Sequence, residues 1–437
     1  VTTAGYVQDF DRFSHNGGGR PEWLLPLRRE AIGQFETTGF PTSKNEDWRF
    51  TNLAPLAQGH FPDLPAATAL PTPSAVAPHL IDPEWPVVVL VNGRVAPSLS
   101  RVSGLPAGVR VESLADAWAS SPDIVAAHLG KSADVTTSSF TALNTAFMVD
   151  GVFIHVPGRV AMKRPIQLLF LTDAEAPGAS HPRVLVVLDP GAEATVIEHY
   201  AAVRGRVYFT NAVTEIALAD GARLDHYKVQ RESEAAYHVG TFEARQGRDS
   251  HLGSLSFAMG AALSRSNIYT VLAGEGAHAT LNGLYIGHGS QHVDHQTRIE
   301  HAEPNCTSHE LYKGILDDTA HGVFNGKVYV QPIAQKTDGK QTNQNLLLSD
   351  RARVDTKPQL EIYADDVRCT HGATVGQLDP VALFYCKSRG LPTAQARTLL
   401  TYGFAADVIE QMPSRPVARY LEDLLMARFL EPAAVPA

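Results

Sequence analysis

Apolar and polar positions divide the chain into three stretches of different period. In residues 21–38, Trp23, Leu24, Leu27, Ala31 and Phe35 recur at spacings of one, three and four, which predicts one face of a helix. Pro21 suits the start of that helix. Residues 41–53 (PTSKNEDWRFTNL) read as a polar loop with one large aromatic, Trp48. A run of prolines and alanines over 61–86 predicts a linker or irregular cover. WPVVVLVNGRV, at 85–95, is a strand entering an Asn-Gly turn, a hairpin signal. Residues 112–148 look mostly helical, with a polar break near 134–139. The first 19 residues, ending in Asn16 and three glycines, look disordered.

From about residue 151 the period shortens. Segments of similar pattern start at residues 191, 221, 249, 276, 290, 304, 319, 334, 351 and 366. The later starts lie 14 to 17 residues apart and the first three intervals are 30, 28 and 27, about twice that. Each unit opens on a small or turn residue, alternates for several positions, and turns again. A strand of about five residues plus a connection fits such a unit, and a two-helix repeat does not. Two units make one coil of a right-handed parallel β-helix; the competing reading is an antiparallel sandwich. After residue 379, DPVALFYCKSRG, LPTAQARTLLTYGFAADVIEQM and RPVARYLEDLLMARFLE read as three helices, the first with Asp379 as N-cap and Pro380 in its first turn. The expected fold is mainly β. It has a mainly helical N-terminal region with a hairpin (1–150), a parallel β-helix core (151–378) and a small helical domain (379–437). That last domain could cap the β-helix, bind a partner, or both.

Bulk composition narrows the function. A formal charge of −9 argues against nucleic acid or an anionic membrane as the main partner. No run approaches the ~20 apolar residues of a membrane span. The first residues lack a basic start followed by an apolar run, and the three cysteines, Cys306, Cys369 and Cys386, are too few for a disulfide framework. A reducing, cytoplasmic setting is the expectation. GVFNGKV (322–328) imitates a phosphate-binding loop but is one residue short and lacks Ser or Thr after the lysine. There is no G-x-S-x-G elbow and no C-x-x-C pair. A carbohydrate-active β-helix enzyme would carry clustered acidic residues, whereas here Asp and Glu are scattered.

Two clusters carry metal-ligating residue types. His278, His288, His292, His295 and His301 lie close in sequence. They could meet across coils as a metal site, or stand as outward polar positions beside glycine-rich turns. Cys306 and Cys386 read as packing residues. Cys369 and His371 differ, because residues two apart on a strand share a face. Asp365 and Asp366 come just before them. A thiol beside an imidazole has a lowered pKa and is a good soft-metal ligand. Two ligands cannot hold an iron–sulfur cluster, so a second chain would supply the rest. Packing at the last coil remains the alternative.

SKNEDWRFTNL (43–53) and YADDVRCTHGATVGQLDPVALFYCKSRGL (363–391), with the β repeat between them, resemble the SufB/SufD family of iron–sulfur cluster assembly proteins. The resemblance covers essentially the whole chain. The absence of cysteine before residue 306 sets it with the SufD-type members, although Cys386 in FYCKSRG is closer to the SufB-type form. The resemblance implies a non-catalytic scaffold subunit that pairs with SufB through the β-helix ends. It implies a transient iron–sulfur cluster shared with that partner at Cys369 and His371, and no tightly bound cofactor. It further implies binding of the ATPase SufC through Leu383, Phe384, Tyr385, Arg389, Leu399, Leu400 and Phe404. An open β-helix edge also allows the isolated chain to pair with itself.

Overall fold

The computed structural model describes residues 3–15 and 21–430. Its body is a parallel β-solenoid of two ten-stranded sheets, so the sandwich alternative falls. The first sheet ends in the strands Thr307–Leu316, Asp338–Leu347 and Arg368–Gly376, and the second in His292–His301, His321–Val330 and Arg353–Ile362. From Ile166 onward the chain steps between the two sheets, and every neighbouring pair along them is parallel and in register. Strands from earlier in the chain, Val87–Val91 and Arg110–Ser113, also join the two sheets.

The corners explain the sequence repeat. Two residues before six strands of the first sheet the backbone is left-handed: Gly191, Gly221, Asp249, Gly276, Asn305 and Lys336, at φ 68, 67, 53, 73, 60 and 64°. Glycine takes that conformation freely, and Asn and Asp tolerate it better than most residues, so the repeat opens on these types at every one of the six except Lys336. The hairpin expected at 85–95 forms, with Val87–Val91 antiparallel to Arg94–Val95 around Asn92 and Gly93, both at positive φ.

The interior changes character along its length. The first coils are filled by aliphatic side chains such as Val152, Ile154, Ile166, Leu168 and Val186. Further on, inward positions carry buried polar groups. Glu198 accepts hydrogen bonds from Thr214 (2.7 Å) and Tyr200 (2.5 Å) and pairs with His226 (3.0 Å). Towards the last coils Glu310, Gln341, Asn343 and Asn345 fill the same space.

The N-terminal region departs from expectation in one place. Residues Thr3–Phe13 form a helix rather than a disordered lead. Tyr6, Phe10 and Phe13, spaced three and four apart, make an aromatic stripe that packs on Phe35 and Phe147. The expected glycine-rich disorder at 16–19 lies outside the described residues. The helix expected over 21–38 forms as a 3₁₀ turn, Glu22–Leu24, followed by Leu25–Thr38. The loop 41–53 docks on the outer face of the second sheet. There the Arg265 guanidinium lies 3.5 Å from the centre of a Trp48 ring and donates to Asp294 at 2.6 Å. Thr51 donates to the same carboxylate at 2.6 Å.

Three helices follow the solenoid: Pro380–Ser388, Thr393–Ile409 and Arg415–Leu430. The Asp379 side chain caps the first, accepting from the Val381 N–H at 2.8 Å. The last two helices do not cap the solenoid. They lie along the outer face of the first sheet, where Val408, Ile409, Met412, Val417, Leu421 and Leu425 cover Tyr227, Val229, Leu255, Phe257, Leu284 and Ile315. Burying an aliphatic side chain is worth about 1.5–3 kcal/mol, so this two-sided seam holds the helices to the side of the sheet. Lys313 fixes its edge, donating to Asp407 at 2.6 Å and to the Phe404 carbonyl at 3.2 Å. No helix among the described residues is long and apolar enough to cross a membrane.

Candidate functional site: the open final coil

Because the helices dock at the side, none of the described residues forms a coil over the last one. Its first-sheet strand, Arg368–Gly376, pairs in register with Asp338–Leu347 beneath, so that Gly339, Gln341, Asn343 and Asn345 lie under Cys369, His371, Ala373 and Val375. The four lower residues are buried and face the interior. In-register stacking carries the alternation upward, so the four upper residues continue the inward row. With no described coil above them, His371, Ala373 and Val375 are exposed and Cys369 is half-buried. Across the opening, Val354, Thr356, Pro358 and Leu360 continue the inward row of the second sheet. Ile362, Tyr363 and Val375 are large apolar side chains left in solvent at this end.

Cys369 and His371 therefore share one row, as their spacing predicts. The surroundings of the thiol differ from expectation. Cys369 packs against Val328, Val330, Ala334 and Ala364. Burial pushes its pKa up, nearby Asp338 adds to the rise, and the Gly339 backbone opposes it. The imidazole does not bring it down, because consecutive same-face positions on a strand are about 6.6 Å apart. Below Cys369 the absent side chain of Gly339 leaves a gap, and the interior behind it is polar: Ser308 Oγ lies 2.8 Å from His301 Nε2.

The row beneath His371 is also polar. Gln341 Nε2 donates to Glu310 Oε2 at 2.7 Å. Burial pushes the Glu310 carboxyl up to about 7, against the opposing hydrogen bond from Gln341. Asn345 donates to Asn343 at 2.6 Å and accepts from the Tyr285 hydroxyl. These interior groups belong to no motif of their own. Their signal was in the repeat itself, where Glu310 and Gln341 occupy the same step of successive coils as His371.

The histidine cluster at 278–301 does not act as one group. His295 and His301 are fully buried inside the solenoid, not outward, and burial pushes them down to about 3 and about 4. His278 and His292 face outward, and His292 Nε2 meets Thr51 Oγ1 at 2.9 Å. His288 pairs with Glu234 at 2.9 Å. Among the described residues, no group of three or more His, Cys, Asp or Glu is arranged to hold a metal ion. Cys306 is buried and donates to the Gly274 carbonyl at 3.3 Å, and Cys386 is buried in its helix.

On the helical domain, Phe384, Tyr385 and Leu399 stand in solvent at 71%, 58% and 53% exposure, large values for such side chains. Arg389 is exposed too, with its guanidinium 5.2 Å from the Tyr385 ring centre. Leu383 and Leu400 are half-buried. Phe404 is half-buried as well, its ring lying 4.6 Å from Lys313 Nζ, so part of that side chain serves the docking seam.

Comparison with known proteins agrees with this architecture. Residues 170–404 match the family described as "SUF system FeS cluster assembly, SufBD core domain", and residues 18–168 match "SufBD protein N-terminal region". An "iron-sulfur cluster assembly SufBD family protein" of Synechocystis is 35% identical over 401 residues, covering 89% of this chain and 88% of the relative. The "iron-sulfur cluster assembly protein SufD" of Escherichia coli is 34% identical over 390 residues, 89% of each chain. The protein of that name in Bacillus subtilis is 29% identical over 414 residues, covering 93% and 94%. The chain belongs to the SufB/SufD family of iron–sulfur cluster assembly proteins.

Proposed function

We propose that this chain is a SufD-like, non-catalytic scaffold subunit of an iron–sulfur cluster assembly complex. The observation that carries the reading is the open final coil, where an inward-facing row ends in solvent with Cys369 and His371 in it. Both are soft-to-intermediate ligands suited to iron. A cluster commonly takes four protein ligands, so a partner that covers this coil supplies the others. The nascent cluster is cargo, built between the two subunits and passed on. The covering partner is SufB, docked against the free strand edges and the exposed Ile362, Tyr363 and Val375. A partner strand would satisfy those edges and remove the apolar surface from water.

The ATPase SufC binds the helical domain on the opposite side of the docking seam. Phe384, Tyr385 and Leu399 are its apolar anchors, with Arg389 beside them and Leu383 and Leu400 at their base. Aromatic side chains exposed to this degree are typical interface anchors. Co-expression with SufB and SufC tests both contacts. Phe384→Asp with Leu399→Asp should lose SufC and retain SufB, while Val375→Arg with Ile362→Arg should lose SufB and retain SufC. Retention of both partners by both double variants would sink the assignment of these two surfaces.

A further inference from the structure

One buried amide beneath the open coil has an acceptor left over. Gln341 lies directly under His371 and directly over Glu310 in the inward row. Its orientation is set from below, because Glu310 Oε2 is an acceptor and so draws the amide nitrogen, at 2.7 Å. The amide oxygen is thereby turned away from Glu310. Gln341 Oε1 is buried and has no hydrogen-bond partner. A buried carbonyl oxygen without a donor is costly and calls for an explanation.

The opposite sheet is shaped around this side chain. Gly326 faces it, and a Cβ at that position would lie 2.3 Å from Gln341 Nε2. A glycine there lets the amide reach across the interior. On the rung above, the residue in direct register is His371, whose ring carries an N–H on one nitrogen and a lone pair on the other when neutral. Metal-binding histidines commonly donate their second ring N–H to a carbonyl or carboxylate, which fixes both tautomer and ring orientation.

We infer that Gln341, itself held by Glu310, is a positioning residue for His371: its Oε1 accepts the ring N–H and turns the other nitrogen's lone pair out of the open coil. This rests on the reading of His371 as a ligand for the cluster under assembly. The chain Glu310–Gln341–His371 would then present one defined nitrogen to incoming iron before any partner arrives. Thr356, across the opening and also with an unpartnered hydroxyl, is the competing donor to Gln341.

The test uses the full chain labelled with ¹⁵N in its histidine rings. Long-range ¹H–¹⁵N spectra at about pH 8, above the ordinary histidine pKa, report the tautomer. The His371 signal is the one missing in His371→Gln. The expected result is a single tautomer in the wild type and a mixture in Gln341→Met. Gly326→Ala, which displaces the amide without removing it, should also give a mixture, and Thr356→Val should leave the single form. If Gly326→Ala does not fold, the folded Gln341→Met variant decides alone. A single tautomer that survives in Gln341→Met, or a mixture already present in the wild type, overturns the inference. Iron–sulfur loading tests the ligand role of His371 separately, so the two can fail independently.

Discussion

Cys369 stands over Gly339, and a Cβ added to that glycine would lie 3.5 Å from the Cys369 sulfur and 3.5 Å from Ser308 Oγ. The gap under the thiol is thus large enough for a methyl group and too small for a branched side chain. Gly339→Ala should leave stability within about 0.5 kcal/mol of wild type. Gly339→Leu should cost about 1–3 kcal/mol through overpacking and drive the thiol outward. Mass-spectrometric rates of Cys369 alkylation check this: unchanged in the alanine variant, faster in the leucine variant. Equal rates in all three proteins would mean that the gap does not set the thiol position.

The motif at 43–53 acts as a clamp between distant parts of the chain. Arg265 and Asp294 are almost completely buried and pair at 2.6 Å, with Trp48 stacked on the guanidinium. Asp294→Ala strands a buried cation and should cost about 3–5 kcal/mol. Trp48→Ala removes a large buried aromatic and should cost about the same. Urea denaturation checks both. In Trp48→Ala, proteolysis should strike first within 41–53, because the loop has lost its anchor.

The buried carboxyl of Glu310 makes a pH prediction. Its folded pKa is about 7, above the ordinary carboxylate value of 4.5. A raised pKa gives stability that is full below the unfolded value and is lost as pH rises through about 7. Glu310→Gln should therefore gain on the wild type as pH rises from 4.5 to 7. The gain should level off above that at the order of 3 kcal/mol. Buried His301, pushed down to about 4, acts in the opposite sense in both proteins, losing stability as pH falls below about 6.5. Denaturant midpoints at several pH values check the difference curve, and a pH-independent difference would remove Glu310 as its source.

The β-solenoid was legible because its left-handed corners favour Gly, Asn or Asp at a fixed place in the coil, and five of the six corners before the first-sheet strands carry one of them, Lys336 being the exception. The three C-terminal helices were legible from their apolar stripes and from the Asp379-Pro380 start. Their docking side was not. Tyr227, Leu255 and Leu284 face outward while neighbouring apolar residues face inward, so these strands carry apolar residues on both faces and do not reveal that a helix covers one of them. His295 and His301 were hard to place for a related reason, since polar residues inside a solenoid look like surface positions until their partners are known. The helix Thr3–Phe13 was hidden by its polar composition, and the partners of Trp48 are distant in sequence: Phe140, stacked on it at 5.2 Å, and Arg265. The row of Cys369 and His371 followed from spacing alone, whereas the polar column beneath them required the register.

The most direct measurement is iron and acid-labile sulfide on the complex purified after co-expression with SufB and SufC. Cys369→Ser and His371→Ala should each assemble with both partners and each carry a small fraction of the wild-type iron and sulfide. Full loading in both variants would contradict a cluster-building role for the open final coil.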